Sequence, residues 1–130
     1  MLIDYRHASV PDDFDAHLCI VGAGPAGIAI ARHFLGSALR VCLLEGGGLN
    51  GDVANQSLYA GDSIGVPELD PGASRLRAFG GSTNVWGGGC IPLGRLDLAP
   101  RDWVPYSGWP ISYAELEPYY ARARDLFAID

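Results

Sequence analysis

"AHLCIVGAGPAGIAIARHFLGSALRVCLLE", Ala16 to Glu45, holds two short apolar runs separated by a glycine-rich turn and an amphipathic stretch. The first run, Ala16 to Val21, is almost wholly apolar and stops at glycine, as a strand buried on both faces of a parallel sheet would. Pro25 stands at a first-turn helix position. Ile28, Ala31 and Leu35 follow at the spacing of one buried stripe, and Gly36 fits the residue just past the helix end. "LRVCLLE", Leu39 to Glu45, reads as a second buried strand. Strand, helix and strand within about thirty residues predict a right-handed βαβ unit over 16–45, and with it a Rossmann-like α/β fold.

The turn inside that unit carries the first chemical signal. Gly22-Ala23-Gly24-Pro25-Ala26-Gly27 fits Gly-x-Gly-x-x-Gly, a pattern that is weak alone and gains weight between a strand and a helix. The first glycine allows the tight turn, the second lets a pyrophosphate approach the main chain, and the third lets helix and strand pack closely. Free amides at the helix N-terminus then face the phosphates, aided by the helix dipole. Glu45 closes the second strand eighteen residues after Gly27, where a carboxylate can accept hydrogen bonds from a ribose diol. The competing view is a tight βα turn beside an incidental surface glutamate.

Beyond Glu45 the periodicity lapses. "GGGLNGDVANQSLYAGDSIGVPELDPGAS", residues 46–74, is rich in turn formers, and so long an irregular run inside a compact domain points to function or to a larger assembly. Then comes "RAFGGSTNVWGGG", Arg77 to Gly89, in which five glycines bracket a polar triplet and a tryptophan. A flexible linker would lack bulky apolar residues, whereas Phe79, Val85 and Trp86 call for burial, so the stretch reads as a ligand-contacting loop. The βαβ fingerprint serves nicotinamide and flavin dinucleotides alike. A second glycine loop about fifty residues further on favours the longer flavin cofactor, with Ser82, Thr83 and Asn84 offering short polar groups and Trp86 a wall for the ring.

Outside these elements, residues 1–13 form a lead-in that ends near a Pro11-Asp12 turn signal. "IPLGRLDLAPRDWVPYSGWP", 91–110, holds four prolines and two tryptophans, which suggests an extended segment pinned by aromatic side chains. Ser112 and Glu115 match a capping box, flanked by Ile111 and Leu116 as its hydrophobic staple, and predict a helix over 112–128 that Pro118 breaks or restarts. Tyr120, Ala123 and Phe127 share one face of it.

Composition narrows the function classes. The 130 residues are 48% hydrophobic with a formal charge of −6, which fits a globular protein and opposes nucleic acid or an anionic membrane as the main partner. Three cysteines, Cys19, Cys42 and Cys90, form no Cys-x-x-Cys pair, so a reducing, cytoplasmic setting is expected and no metal site is read. No apolar stretch approaches the roughly 18 residues of a membrane span.

The order "GAGPAG", "LLEGG", "RAFGGSTNVWGG" and "GWPISYAELEPYYARA" resembles the N-terminal part of the glucose-methanol-choline family of FAD-dependent oxidoreductases, from Phe14 onward. The resemblance implies an FAD-binding domain over 14–130, incomplete by itself, with Gly22, Gly24 and Gly27 at the ADP pyrophosphate, Glu45 at the adenosine ribose, and Ala23, Pro25, Ala26 and Gly46 as further cofactor-binding positions. It further implies Gly81, Ser82, Thr83 and Asn84 near the pyrophosphate and flavin, and Trp86 and Gly87 near the isoalloxazine. Two departures matter. Val85 stands where some members carry the histidine that attaches flavin covalently, so FAD is expected to be held non-covalently. The family's catalytic base lies near the C-terminus of a much longer chain, so no catalytic residue is named here, and His7, His17 and His33 are read as structural.

The resemblance thus implies the FAD-binding part of an enzyme that oxidises a CH–OH group of an alcohol, sugar or polyol by hydride transfer to flavin. Its partners would be that small-molecule substrate and the remainder of the parent chain. The alternative is a non-catalytic dinucleotide-binding module or subunit complete at this length. A nicotinamide-dependent dehydrogenase fragment is a third reading.

Overall fold

Residues 1–7, 13–65 and 70–129 are described by the structure, a computed structural model. The Pro11-Asp12 turn signal lies outside them. The chain is mixed α/β and divides into two compact units, Met1–Gly87 and Gly88–Asp130. In the first, β1 (Leu18–Val21) and β2 (Val41–Leu44) form a parallel sheet, joined by α1 (Pro25–His33). The register pairs Leu18 with Val41 and Val21 with Leu44, and the Gly22 amide extends the ladder to the Leu44 carbonyl at 2.7 Å.

Both strands are shorter than the apolar runs that announced them. Residues 16–17 and 39–40 hold the entrance by other means: the amides of His17 and Leu18 both reach the Arg40 carbonyl, and His17 Nδ1 accepts from the Arg40 amide at 2.9 Å. His17 is therefore a structural residue of the strand entry. Helix α1 also stops early. Its last turn tightens through Phe34 N–H to the Ala31 carbonyl, and Gly36, at φ +79°, follows in the turn beyond rather than directly capping the helix.

The segment after Glu45, expected to be irregular, contains two short helical turns, α2 (Val53–Gln56) and α3 (Pro71–Ser74), with a 3₁₀ turn at Ser57–Tyr59. Aspartates start both helices: Asp52 accepts from the Asn55 amide at 2.8 Å and Asp70 from the Gly72 amide at 2.8 Å. Gln56 ties the segment together, donating to the carbonyls of Gly72 and Arg75 and accepting from the Arg77 amide. The lead-in is fastened too. Arg6 pairs with Asp4 at 2.8 Å and reaches Asp52 at 3.5 Å.

In the second unit, α4 (Arg95–Leu98) precedes α5 (Tyr113–Phe127). Ser112 caps α5, its hydroxyl accepting from the Glu115 amide while Glu115 Oε2 accepts from the Ser112 amide at 2.7 Å. Pro118 does not break this helix, contrary to its usual effect. It removes the one ladder bond that its amide would give Ala114 and leaves the rest of the 15-residue helix intact. Arg95 stacks its guanidinium over Tyr113 at 4.7 Å, and Tyr120 donates to the Leu93 carbonyl at 3.4 Å. Trp103 and Trp109, expected to pin the proline-rich segment, are 75% and 59% exposed.

Burial is slight among the described residues. Ile20, Ala23, Ala78 and Leu98 form the whole buried apolar set, and Val21 at the strand end is 84% exposed. The accessible surface is 10418 Å². Two separate compact bodies of these sizes would expose only about 7,900 Å². No helix among the described residues is long and apolar enough to cross a membrane.

Candidate functional site

The glycine turn between β1 and α1 has a distinct reason for each of its glycines. Gly22 adopts φ +97°, a left-handed conformation that side chains disfavour. Gly27 is buried, and a Cβ there would be driven into the Gly22 carbonyl oxygen and against Ile20 Cγ2. Helix α1 can lie this close to β1 only because that position is bare. Gly24 differs, since its φ of −74° suits any residue and a Cβ on it would meet no atom within 4 Å. Neither packing nor backbone conformation calls for glycine there. A ligand lying on the main chain would.

Pro25 opens α1 at its first position, and the helical ladder begins with the Ile28 amide bonding to the Gly24 carbonyl at 3.0 Å. The amides of Ala26 and Gly27 therefore precede the ladder, with no side chain capping them and no acidic residue in the first turn. An anion placed there would meet the positive end of the helix dipole.

Glu45 folds its carboxylate back onto this turn. Oε2 accepts from the Ala23 amide at 2.7 Å and Oε1 from the Gly47 amide at 2.8 Å. Each oxygen retains a second lone pair, so the group is oriented by the backbone and still able to accept from a diol. Glu45 is thus both a clamp on the turn and a candidate ribose ligand.

The second glycine loop meets the first. Gly80 donates its amide to the Ala23 carbonyl at 2.8 Å, the Phe79 amide reaches the Gly48 carbonyl at 2.9 Å, and Ala78 bridges to Gly48 in parallel fashion. A Cβ on Gly81 would touch Gly24 Cα at 3.4 Å, so the two loops lie in contact. Gly81–Asn84 form a 3₁₀ turn whose polar side chains close the loop itself. Thr83 Oγ1 donates to the Gly80 carbonyl, Asn84 Nδ2 to the carbonyls of Phe79 and Gly81, and Ser82 Oγ accepts from the Leu76 amide. Trp86 is 45% exposed, and Gly87 ends the first unit.

Gly22, Gly24, Glu45, Gly46, Gly81 and Ser82 line one cleft of about 540 Å³, whereas Ala23, Pro25, Ala26, Gly27, Thr83, Asn84, Trp86 and Gly87 are not among its lining residues. Two further lining residues carried no signal in the sequence: Tyr59, and Arg77, whose guanidinium lies over the Tyr59 ring at 5.4 Å. A second cavity, about 470 Å³, shares Glu45 and Gly46 and is otherwise bounded by the lead-in and by apolar Val41, Leu43, Leu49 and Phe79. The arrangement sets bare backbone, uncapped helix-start amides and a carboxylate with free lone pairs close together.

No protein-family model, curated protein or solved structure matches the chain.

Proposed function

We propose that this chain is the FAD-binding part of an oxidoreductase that acts on CH–OH groups of an alcohol, sugar or polyol, with a Rossmann-like unit holding FAD non-covalently. The observation that carries the reading is the joining of the two glycine loops through Gly80 and Ala23, beside the helix start and beneath the Glu45 carboxylate. A nicotinamide-binding βαβ unit needs only the first loop. The second loop, with Trp86 just after it, supports a longer cofactor.

In this reading Gly22, Ala23, Gly24, Pro25, Ala26 and Gly27 present main chain to the pyrophosphate. Glu45 and Gly46 take the adenosine ribose, and the apolar walls of the neighbouring cavity suit the purine. Gly81, Ser82, Thr83 and Asn84 carry the path toward the flavin, where Trp86 and Gly87 shield one side from water. Bound FAD supplies the two-electron acceptor for a hydride. The proton acceptor for the substrate hydroxyl is not assigned to these residues. The large exposed apolar surface supports a requirement for the remainder of a longer chain, which would furnish the base and the substrate pocket.

The test is anaerobic mixing of the full-length protein with a panel of alcohols, sugars and polyols while flavin absorbance is followed. Bleaching by one of these classes, with dye reduction on reoxidation, is the expected result. A flavoprotein bleached by nicotinamides but by no alcohol or sugar in the panel would contradict the assigned reaction.

A further inference from the structure

Arg77 lines the cleft and has an unpartnered buried Nε. Arg6 and Arg40 are tied to aspartates, whereas no carboxylate among the described residues pairs with Arg77, although the chain carries a net charge of −6. Arg77 Nη2 reaches within 2.5 Å of the place a Cβ on Gly46 would occupy, so the guanidinium lies across bare backbone one residue past Glu45. Glu45, one residue before Gly46, orients its two oxygens to the amides of Ala23 and Gly47 and forms no ion pair with Arg77. The guanidinium carbon lies 5.4 Å from the centroid of the Tyr59 ring, a cation–π distance.

A planar, unpaired guanidinium held in a cleft with two glycine loops is suited to an anion with several oxygens, since it can give parallel N–H donors to two of them. The Ala26 and Gly27 amides at the start of α1 supply donors on the same cleft-lining turn. We propose that Arg77 is a binding residue for the phosphate portion of the dinucleotide, reaching over Gly46 to grip it opposite the helix start. This rests on the dinucleotide reading above and adds to it a charged side chain that the glycine fingerprint does not contain. Gly46 then has a role of its own: any side chain there would push the guanidinium out of the cleft.

The test measures dissociation constants of FAD, ADP and adenosine with the full-length protein freed of flavin, in wild type, Arg77→Gln and Arg77→Lys, at two salt concentrations. Loss of one charge-assisted interaction predicts that Arg77→Gln weakens ADP and FAD by roughly ten- to a hundredfold. Adenosine should change by less than about twofold, and the salt dependence of ADP binding should flatten, because a screened charge has been removed. Arg77→Lys should fall between, keeping the charge but losing the fork. If Arg77→Gln does not fold, the ratio of ADP loss to adenosine loss in Arg77→Lys decides. Equal losses for ADP and adenosine, or no loss for either, would overturn the proposal while leaving the dinucleotide reading standing. A wild-type protein that binds none of the three ligands would overturn both.

Discussion

The Gly80 amide donates a 2.8 Å hydrogen bond to the Ala23 carbonyl, fastening the second glycine loop to the turn of the first. Ala23 is fully buried at this junction, and its own amide goes to Glu45, so one residue receives both the late loop and the carboxylate. The geometry of the site therefore depends on how closely α1 can approach β1.

That dependence separates two glycines. Gly27→Ala drives a methyl group into the Gly22 carbonyl, and overpacking of this kind costs about 1–3 kcal/mol. Denaturant unfolding of the full-length protein should show the loss. Gly24→Ala meets open space and an ordinary φ, so stability should stay within about 0.5 kcal/mol of wild type while FAD affinity falls. Equal stability loss in both variants would mean that Gly24 is bare for packing rather than for a ligand.

Glu45→Ala should weaken FAD roughly ten- to a hundredfold, the equivalent of a charge-assisted hydrogen bond of about 1.5–3 kcal/mol. Because the carboxylate also accepts from the Ala23 and Gly47 amides, the same variant should loosen the turn. Glu45→Gln keeps one acceptor oxygen and should recover part of the stability but little of the affinity. An unchanged FAD dissociation constant in both variants would remove Glu45 from the binding site.

Much of this was legible in the sequence, and the failures have physical causes. β1, α1 and β2 were visible as apolar runs and a helical stripe, although the burial on both faces expected of the strands is not seen, since Ile20 alone among their residues is buried, and side chains cannot say where backbone pairing stops. Leu39 and Ala16 belong to apolar runs yet lie outside the ladder. The capping box announced α5 through two side chains only three positions apart, a local signal. Pro118 misled because its effect depends on whether the surrounding helix can do without one bond. Thr83 and Asn84 donate to carbonyls of their own loop and Ser82 accepts from the Leu76 amide, pairings that composition does not write. Arg77 had no signature at all, since its setting is made by Gly46 and Tyr59, remote in the chain.

The capping box gives a pH prediction. Donors from the Ser112 backbone, and then its hydroxyl, hold the Glu115 carboxyl below its ordinary range. A depressed folded value means that the contribution to helix stability is complete above the unfolded value near pH 4.3 and is lost as pH falls through the lower folded value. Helicity followed by circular dichroism should therefore decline on acidification less steeply in Glu115→Gln than in wild type. Parallel acid curves for the two proteins would show that the pair contributes nothing.

Expressed alone, residues 1–130 should neither oxidise alcohols nor melt cooperatively. Among the described residues, Val21 in the first unit and Trp103 and Trp109 in the second expose apolar surface. Under the proposed function the base comes from the remainder of the parent chain, and its loss would cost the rate about 10²–10⁴-fold. A cooperative thermal transition together with parent-like dye-linked turnover would contradict this.

The central claim, that the two joined glycine loops hold FAD, is tested most directly by the absorption spectrum of the full-length protein purified from cells, followed by acid precipitation. With Val85 in the position where a histidine would attach the ring, the account predicts flavin absorbance bands in the native protein and a yellow supernatant containing FAD by mass. A folded protein that is colourless as purified and takes up no added FAD would contradict it.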